Sequence, residues 1–248
     1  MRVTGYVIHT RPFQDAKILV DLFTKELGLV RCVLRRNAKE ARATPGSFLL
    51  HEIELAGRGE LKTIRSIEAL ESGSTLQGNS LYSAFYVHEI IERLVPTNLP
   101  LESLFLLYQW LVNNLRQGVS IAPLLRRFEI GLFEELGIAI NMASTARGDP
   151  LQPLQLYQFH AKFGLRPYFG DQPKVRPIIY LDGRIAQAYA DGKWTDKAVL
   201  AMAKELHRAW LDNALGGKTL KSRSLLPSRS HEGRRLWQVP VFEYKDYI

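Results

Sequence analysis

The apolar pattern of this chain changes period once, near residue 75, and that change decides which folds are open to it. Before it, apolar residues fall in short runs at 3–9, 18–24, 29–34, 48–56 and 61–67. Turns such as Lys25-Glu-Leu-Gly28 and Gly57-Arg-Gly59 separate them. Glycine in a short loop between such runs signals a β-hairpin. From about Asn79 the spacing becomes helical: Leu81, Phe85, His88, Ile91 and Val95 share one face, and the segment stops before Pro96. Residues 101–116 repeat the pattern with Leu104, Tyr108, Leu111 and Leu115. Strands first and helices after read as α+β. Five short strands in some 70 residues suit a small closed barrel. An OB-fold is the leading candidate, and an SH3-like barrel fits almost as well on strand count. The expected division is a barrel over 1–75 and a helical domain over 76–248.

Residues 123–137, PLLRRFEIGLFEELG, read as the central helix of the second part. Proline stands near its start and glycine at its end. Leu124, Leu125, Phe128, Leu132 and Leu136 form one apolar arc, and Ile130 and Phe133 fall outside it. A helix apolar on two faces has neighbours on both. The wheel sets Arg126 between Ile130 and Phe133. Two readings follow: a cation that snorkels to water, or a groove with an apolar floor and one guanidinium for a partner's carboxylates.

Residues 139–193 lose periodicity and are dense in Gly, Pro and polar side chains, so a small irregular or β lobe is expected there. Short strands fit at 154–159 and 177–181. Helical spacing returns after Thr195, the expected N-cap, with Val199, Ala203, Leu206 and Trp210 on one face and Gly216-Gly217 at the end. From Lys218 the tail is basic (Lys218, Lys221, Arg223, Arg229, Arg234, Arg235), and such tails are usually disordered.

The formal charge of +8 and pI near 9.6 point to a polyanionic partner, nucleic acid before membrane. The clearest basic segment lies between the third and fourth strands, where Arg31, Arg35, Arg36, Lys39 and Arg42 oppose only Glu40. It is either a solvated loop or the rim of a groove that tracks a nucleic-acid backbone. Tyr6, Phe13 and Phe23 would then be stacking faces, or else core. No apolar run approaches the roughly 20 residues of a membrane span, and the start does not resemble a secretory signal. The one cysteine, Cys32, excludes an internal disulfide and a cysteine-based zinc site. A cytoplasmic protein is expected.

Nothing asks for an enzyme. Gly216-Gly-Lys-Thr219 lacks the earlier glycine of a phosphate-binding loop, since position 212 is Asp, and it follows a helix. His88-Glu-Ile-Ile-Glu92 lacks the second histidine of a zinc-protease helix. No Ser or Cys sits in a nucleophile-type turn.

Five stretches together resemble the RecO family of bacterial recombination mediators: ILVDLFTKELG (18–28), GRGELKTIRSIEA (57–69), LYSAFYVHEIIERL (81–94), LRRFEIGLFEELG (125–137) and LGGKTLKSRSL (215–225). The resemblance implies an N-terminal OB-fold, a helical domain and a small lobe that in many members is a four-cysteine zinc finger. No cysteine falls between 139 and 193, so this chain is similar to the zinc-free branch and no cofactor is expected. The resemblance further implies binding of single- and double-stranded DNA, strand annealing, and action with RecR and RecF to load RecA onto DNA coated by single-stranded DNA-binding protein (SSB). The family also grips the acidic, apolar-ended C-terminal tail of SSB on its helical domain. That favours the groove reading, with Arg126, Ile130 and Phe133 as the tail site. Arg31, Arg35, Arg36, Lys39, Arg42, Lys218, Lys221 and Arg223 are the expected DNA contacts. An RNA-binding barrel protein and a basic interaction adaptor are the rivals.

Overall fold

The computed structural model describes residues 1–14, 16–35, 46–72, 76–170 and 178–225. Five strands, β1 (Arg2–Pro12), β2 (Lys17–Thr24), β3 (Gly28–Arg35), β4 (His51–Ala56) and β5 (Lys62–Ala69), close into a barrel in the order β1-β2-β3-β5-β4. The β3–β5 pairing is parallel and every other neighbour is antiparallel. This closure decides what strand count left open: the barrel is OB-like. Alternation divides its side chains between two cores. Val3, Val7, Ile18, Val20, Leu22, Val30, Ile53 and Ile64 fill the barrel. Tyr6, Ile8, Phe23 and Leu29 point outward into the core of the helices.

Three helices follow: α1 (Gly78–Leu94), α2 (Glu102–Arg116) and α3 (Ile121–Glu135). Tyr6 and Phe23, opposite each other across β1 and β2, pack on Phe105 and Tyr108 of α2 at ring separations of 4.9–6.0 Å. They are therefore core and not stacking faces; Phe13 alone of the three stays half-exposed. Gly28 fixes the approach. Its φ is +70°, and a Cβ there would lie 1.9 Å from the Leu99 carbonyl oxygen. The barrel and the helices thus share one buried interface.

Helix α3 is central, packing on α1, α2 and α5 (Lys197–Ala214). Pro123 sits in its first turn, where no intrahelical donor is lost. Gly137, at φ +66°, closes it. The Ile138 N–H donates to the Phe133 carbonyl at 2.9 Å and the Gly137 N–H to that of Glu134 at 3.0 Å, a Schellman motif. Helix α5 ends the same way, with Gly217 N–H on the Asp212 carbonyl at 2.9 Å. Its N-cap is Asp196, not Thr195: the carboxylate accepts from the N–H groups of Ala198 and Val199.

The lobe is a three-stranded antiparallel sheet, β7-β6-β8, of β6 (Leu156–His160), β7 (Gly164–Pro167) and β8 (Ile179–Asp182). Its inner face, Tyr157, Phe159, Leu165 and Leu181, joins the helical core. One element there escapes the sequence pattern: α4 (Gly183–Ala190), capped by the Asp182 carboxylate accepting from Arg184 N–H at 2.8 Å. The start of the basic tail, whose order the sequence left open, is ordered. Leu220 is buried, and a 3-10 helix over Lys221–Ser224 lies on α1. Among the described residues no helix is long and apolar enough to cross a membrane.

Candidate nucleic-acid and partner interfaces

Arg126 is buried, but a carboxylate meets it. Its guanidinium donates to Glu129 Oε1 at 2.7 Å, three residues on along α3. Glu129 is fully buried and collects three further elements. The Tyr86 hydroxyl of α1 donates to Oε1 at 2.6 Å, and His207 of α5 meets Oε2 at 2.6 Å. The other ring nitrogen of His207 lies 2.6 Å from the Tyr189 hydroxyl of α4. Burial alone would raise the Glu129 pKa; Arg126, His207 and Tyr86 outweigh it and hold the carboxyl below its usual range. Burial pushes His207 down, against the pull of Glu129. The arrangement is therefore a charged Arg126–Glu129 pair with a neutral imidazole, which donates from Nδ1 to Glu129 and accepts from Tyr189. Sequence reading missed Glu129, His207, Tyr86 and Tyr189. The i,i+3 spacing of Arg126 and Glu129 was the available signal.

Arg126 also lines a cleft of about 170 Å³ between α1, α3, α5 and the 3-10 helix. Tyr82, Tyr86 and Leu125 give it apolar wall; Arg126, Lys204, Arg208 and Arg223 give it four cations, and no carboxylate is among its described lining residues. The Arg126 Nε–H is buried with no hydrogen-bond partner among the described residues. Lys204 and Arg208, one turn apart on the exposed side of α5, were not singled out by the sequence. The wall carrying Ser222 and Arg223 is fixed by Glu89 of α1, whose carboxylate accepts the Lys221 and Ser222 N–H groups at 2.8 Å each.

Two expected members of this site lie elsewhere. Phe133 is 1% exposed, stacked 4.5 Å from Trp210 and edge-on to His207, so it faces the core and not a partner. Ile130 is half-buried against the same core and does not line the cleft. The wheel gave two apolar faces without saying which one the helices cover.

The expected DNA contacts are also redistributed. Arg35 is exposed at the end of β3. Arg31 is exposed but bound, its Nε 2.9 Å from Asp21 Oδ1. Lys218 and Lys221 are exposed, whereas Arg223 pairs with Asp212 at 2.6 Å and belongs to the cleft. Arg36, Lys39 and Arg42 lie outside the described residues. The last turns of α1 join the two basic regions. Glu92 stands 3.6 Å from His9 beside Asp21 on the barrel, and Arg93 donates to the Thr219 carbonyl at 3.0 Å. His9, Asp21 and Glu92 place ligand-type atoms within 4.8 Å of one another, but Arg31 and Arg11 already neutralise Asp21, a poor setting for a cation. A four-cysteine zinc site does not fit the lobe, where tyrosine, phenylalanine and leucine make the core.

Residues 1–72 match the family described as Recombination protein O N terminal, and residues 76–224 match Recombination protein O C terminal. The chain is 37% identical over 229 residues to the DNA repair protein RecO of Pseudomonas aeruginosa, covering 92% of this chain and 96% of the relative. It is 34% identical over 225 residues to the proteins of the same name from Pseudomonas putida and Stutzerimonas stutzeri, covering 91% of this chain and 96% and 93% of those relatives.

Proposed function

The chain belongs to the RecO family of DNA repair proteins, and on that premise we propose that it is a non-catalytic recombination mediator of the bacterial cytoplasm and nucleoid. It binds single- and double-stranded DNA, anneals complementary strands, and with RecR and RecF helps to load RecA onto SSB-coated single strands. Arg35, Lys218 and Lys221, together with Arg36, Lys39 and Arg42, neutralise phosphates, while Asp21 occupies Arg31. Neutralisation weakens strand–strand repulsion, so pairing needs no nucleotide, and binding is largely sequence-independent and salt-sensitive.

The observation that carries the reading is the four-cation cleft on the helical unit. An acidic tail ending in a hydrophobic residue needs an apolar pocket about the size of one side chain, ringed by cations for its carboxylates. The cleft offers both, with Tyr82, Tyr86 and Leu125 for the side chain and Arg126, Lys204 and Arg208 for the charge. Such a site brings the protein to coated DNA without first removing SSB.

The test is annealing of complementary oligonucleotides coated with the cognate SSB, without nucleotide. The protein accelerates it, and excess free tail peptide abolishes the acceleration. Lys204→Ala with Arg208→Ala loses tail-peptide binding at least tenfold while naked-strand annealing persists. Equal loss of both activities refutes the assignment of the cleft.

A further inference from the structure

Two aromatic rings of the barrel, Tyr6 and Phe23, are fully buried. The small lobe buries Tyr157 and Phe159 but exposes two others. Phe163, at the tip of the β6–β7 hairpin, is 48% exposed, and Phe169, just beyond β7, is 76% exposed. Two large exposed apolar rings in one small lobe need an explanation that an isolated surface leucine does not. The turn that carries Phe163 is defined by a hydrogen bond: the Phe163 N–H donates to the His160 carbonyl at 3.0 Å, and Gly164 takes φ +82° to begin β7. The hairpin itself packs on the Phe163 ring, with the His160 ring 4.7 Å away and tilted by 31°. The Arg166 guanidinium lies 5.1 Å and the Lys162 ammonium 5.6 Å from the Phe163 centroid. Arg166 also lines a cleft of about 460 Å³ shared with Arg147 and Phe169 and bounded by the Thr145–Asp149 turn. That volume falls in the roughly 300–1,000 Å³ range of ligand clefts. Asp149 is the one carboxylate in its described lining, and its Oδ2 accepts from the Thr145 hydroxyl at 3.2 Å.

We infer that this face of the lobe is a second nucleic-acid contact, which takes unpaired bases on Phe163 and Phe169 and backbone phosphates on Arg147, Arg166 and Lys162. The inference rests on the reading that the chain binds nucleic acid, and adds where unstacked bases go. Charge complementarity selects a polyanion, and the exposed rings select one with free π-faces, which a duplex does not offer. The barrel and tail cations then track backbone in any strand state, while the lobe recognises single strands.

The experiment uses the full chain, with fluorescent oligothymidylate and a duplex of equal length as probes. Phe163→Ala with Phe169→Ala lowers single-strand affinity about fivefold or more, the lower end of what stacking one base contributes. Duplex affinity stays within twofold. Arg147→Ala with Arg166→Ala flattens the single-strand salt slope by about 1.4, at about 0.7 per phosphate released. Both pairs are exposed, and unchanged circular dichroism checks the fold. Photo-crosslinking of an iodouracil-bearing strand maps to the lobe hairpin. Wild-type single-strand binding that the phenylalanine pair leaves unchanged, or an equal loss on duplex, overturns the inference while the DNA-binding reading stands. No binding of either probe by the wild type overturns both.

Discussion

His88 provides a test of how firmly the barrel is joined to the helices. It sits on α1 at 4% exposure, its ring stacked 4.4 Å from Phe48 and sharing a 2.5 Å hydrogen bond with the Tyr108 hydroxyl. Burial pushes its pKa from the ordinary 6.5 down to about 3. The sign follows from linkage. Between pH 6.5 and 3 the unfolded chain carries a proton on this histidine and the folded chain does not, so stability falls as the solution is acidified. From pH 7.5 to 4.5 about two pH units of that window are crossed, and at about 1.4 kcal/mol per unit the loss is about 3 kcal/mol. His51 and His207 are lowered as well and steepen the wild-type curve in the same direction. His88→Gln keeps a polar partner for Tyr108 but does not titrate, so the comparison isolates one residue. Urea unfolding at pH 7.5, 6.5, 5.5 and 4.5 should show the two proteins converging by about 3 kcal/mol toward acid. Parallel curves would mean that the imidazole is hydrated or protonated in the folded state, and would refute the buried setting of His88 between Phe48 and Tyr108.

Three other perturbations probe separate parts of the argument. Glu129→Gln leaves Arg126 buried without its counter-charge, so stability falls by about 3–5 kcal/mol in urea unfolding; a cost under about 1 kcal/mol would show that water already reaches the pair. Gly28→Ala adds a methyl group against the Leu99 carbonyl at a φ that L-residues avoid, so the free energy of unfolding falls by more than the about 1–2 kcal/mol of the backbone conformation alone; a neutral substitution would refute the close approach. Asp21→Asn removes the charge that occupies Arg31 and Arg11, so the logarithmic salt dependence of duplex binding steepens by about 0.9 for each arginine that gains a phosphate; an unchanged slope excludes this barrel face from the DNA path.

How much of this was legible follows from the range of each signal. Period 2 and period 3.6 are local, and they gave five strands and four of the five α-helices within a few residues. Gly137 and Gly217 closed their helices as expected because a positive φ is a local demand. Helix α4 was missed because eight residues do not establish a period, and only Asp182 announces it. The burial of Tyr6, Ile8 and Phe23 was half-visible: β1 and β2 are apolar on both faces, as strands are when a second layer covers them. Nothing local says that α2 is that layer. The order of residues 218–225 was left open for the same reason, since Glu89 lies 132 residues from Lys221, whose N–H it accepts.

The case of Arg126 shows why one side chain can carry two readings at the sequence level. A cation among apolar neighbours on a helical wheel is consistent with a binding groove and with a buried ion pair, and here the side chain forms the ion pair while it also lines a cleft. Glu129, held by Tyr86 and His207 from two other helices, fixes the guanidinium in place. The same carboxylate also cancels much of the charge that Arg126 presents to the cleft, since at 2.7 Å the pair acts outward as a dipole and not as a monopole. The net positive potential at the cleft must then come mainly from Lys204 and Arg208, which enter no ion pair with a described residue, because Arg223 is paired to Asp212. In the proposed tail site, Arg126 would set the direction from which a carboxylate is approached, and α5 would supply the attraction. A substitution at Arg126 therefore disturbs packing and recognition together, whereas the two α5 cations change recognition alone.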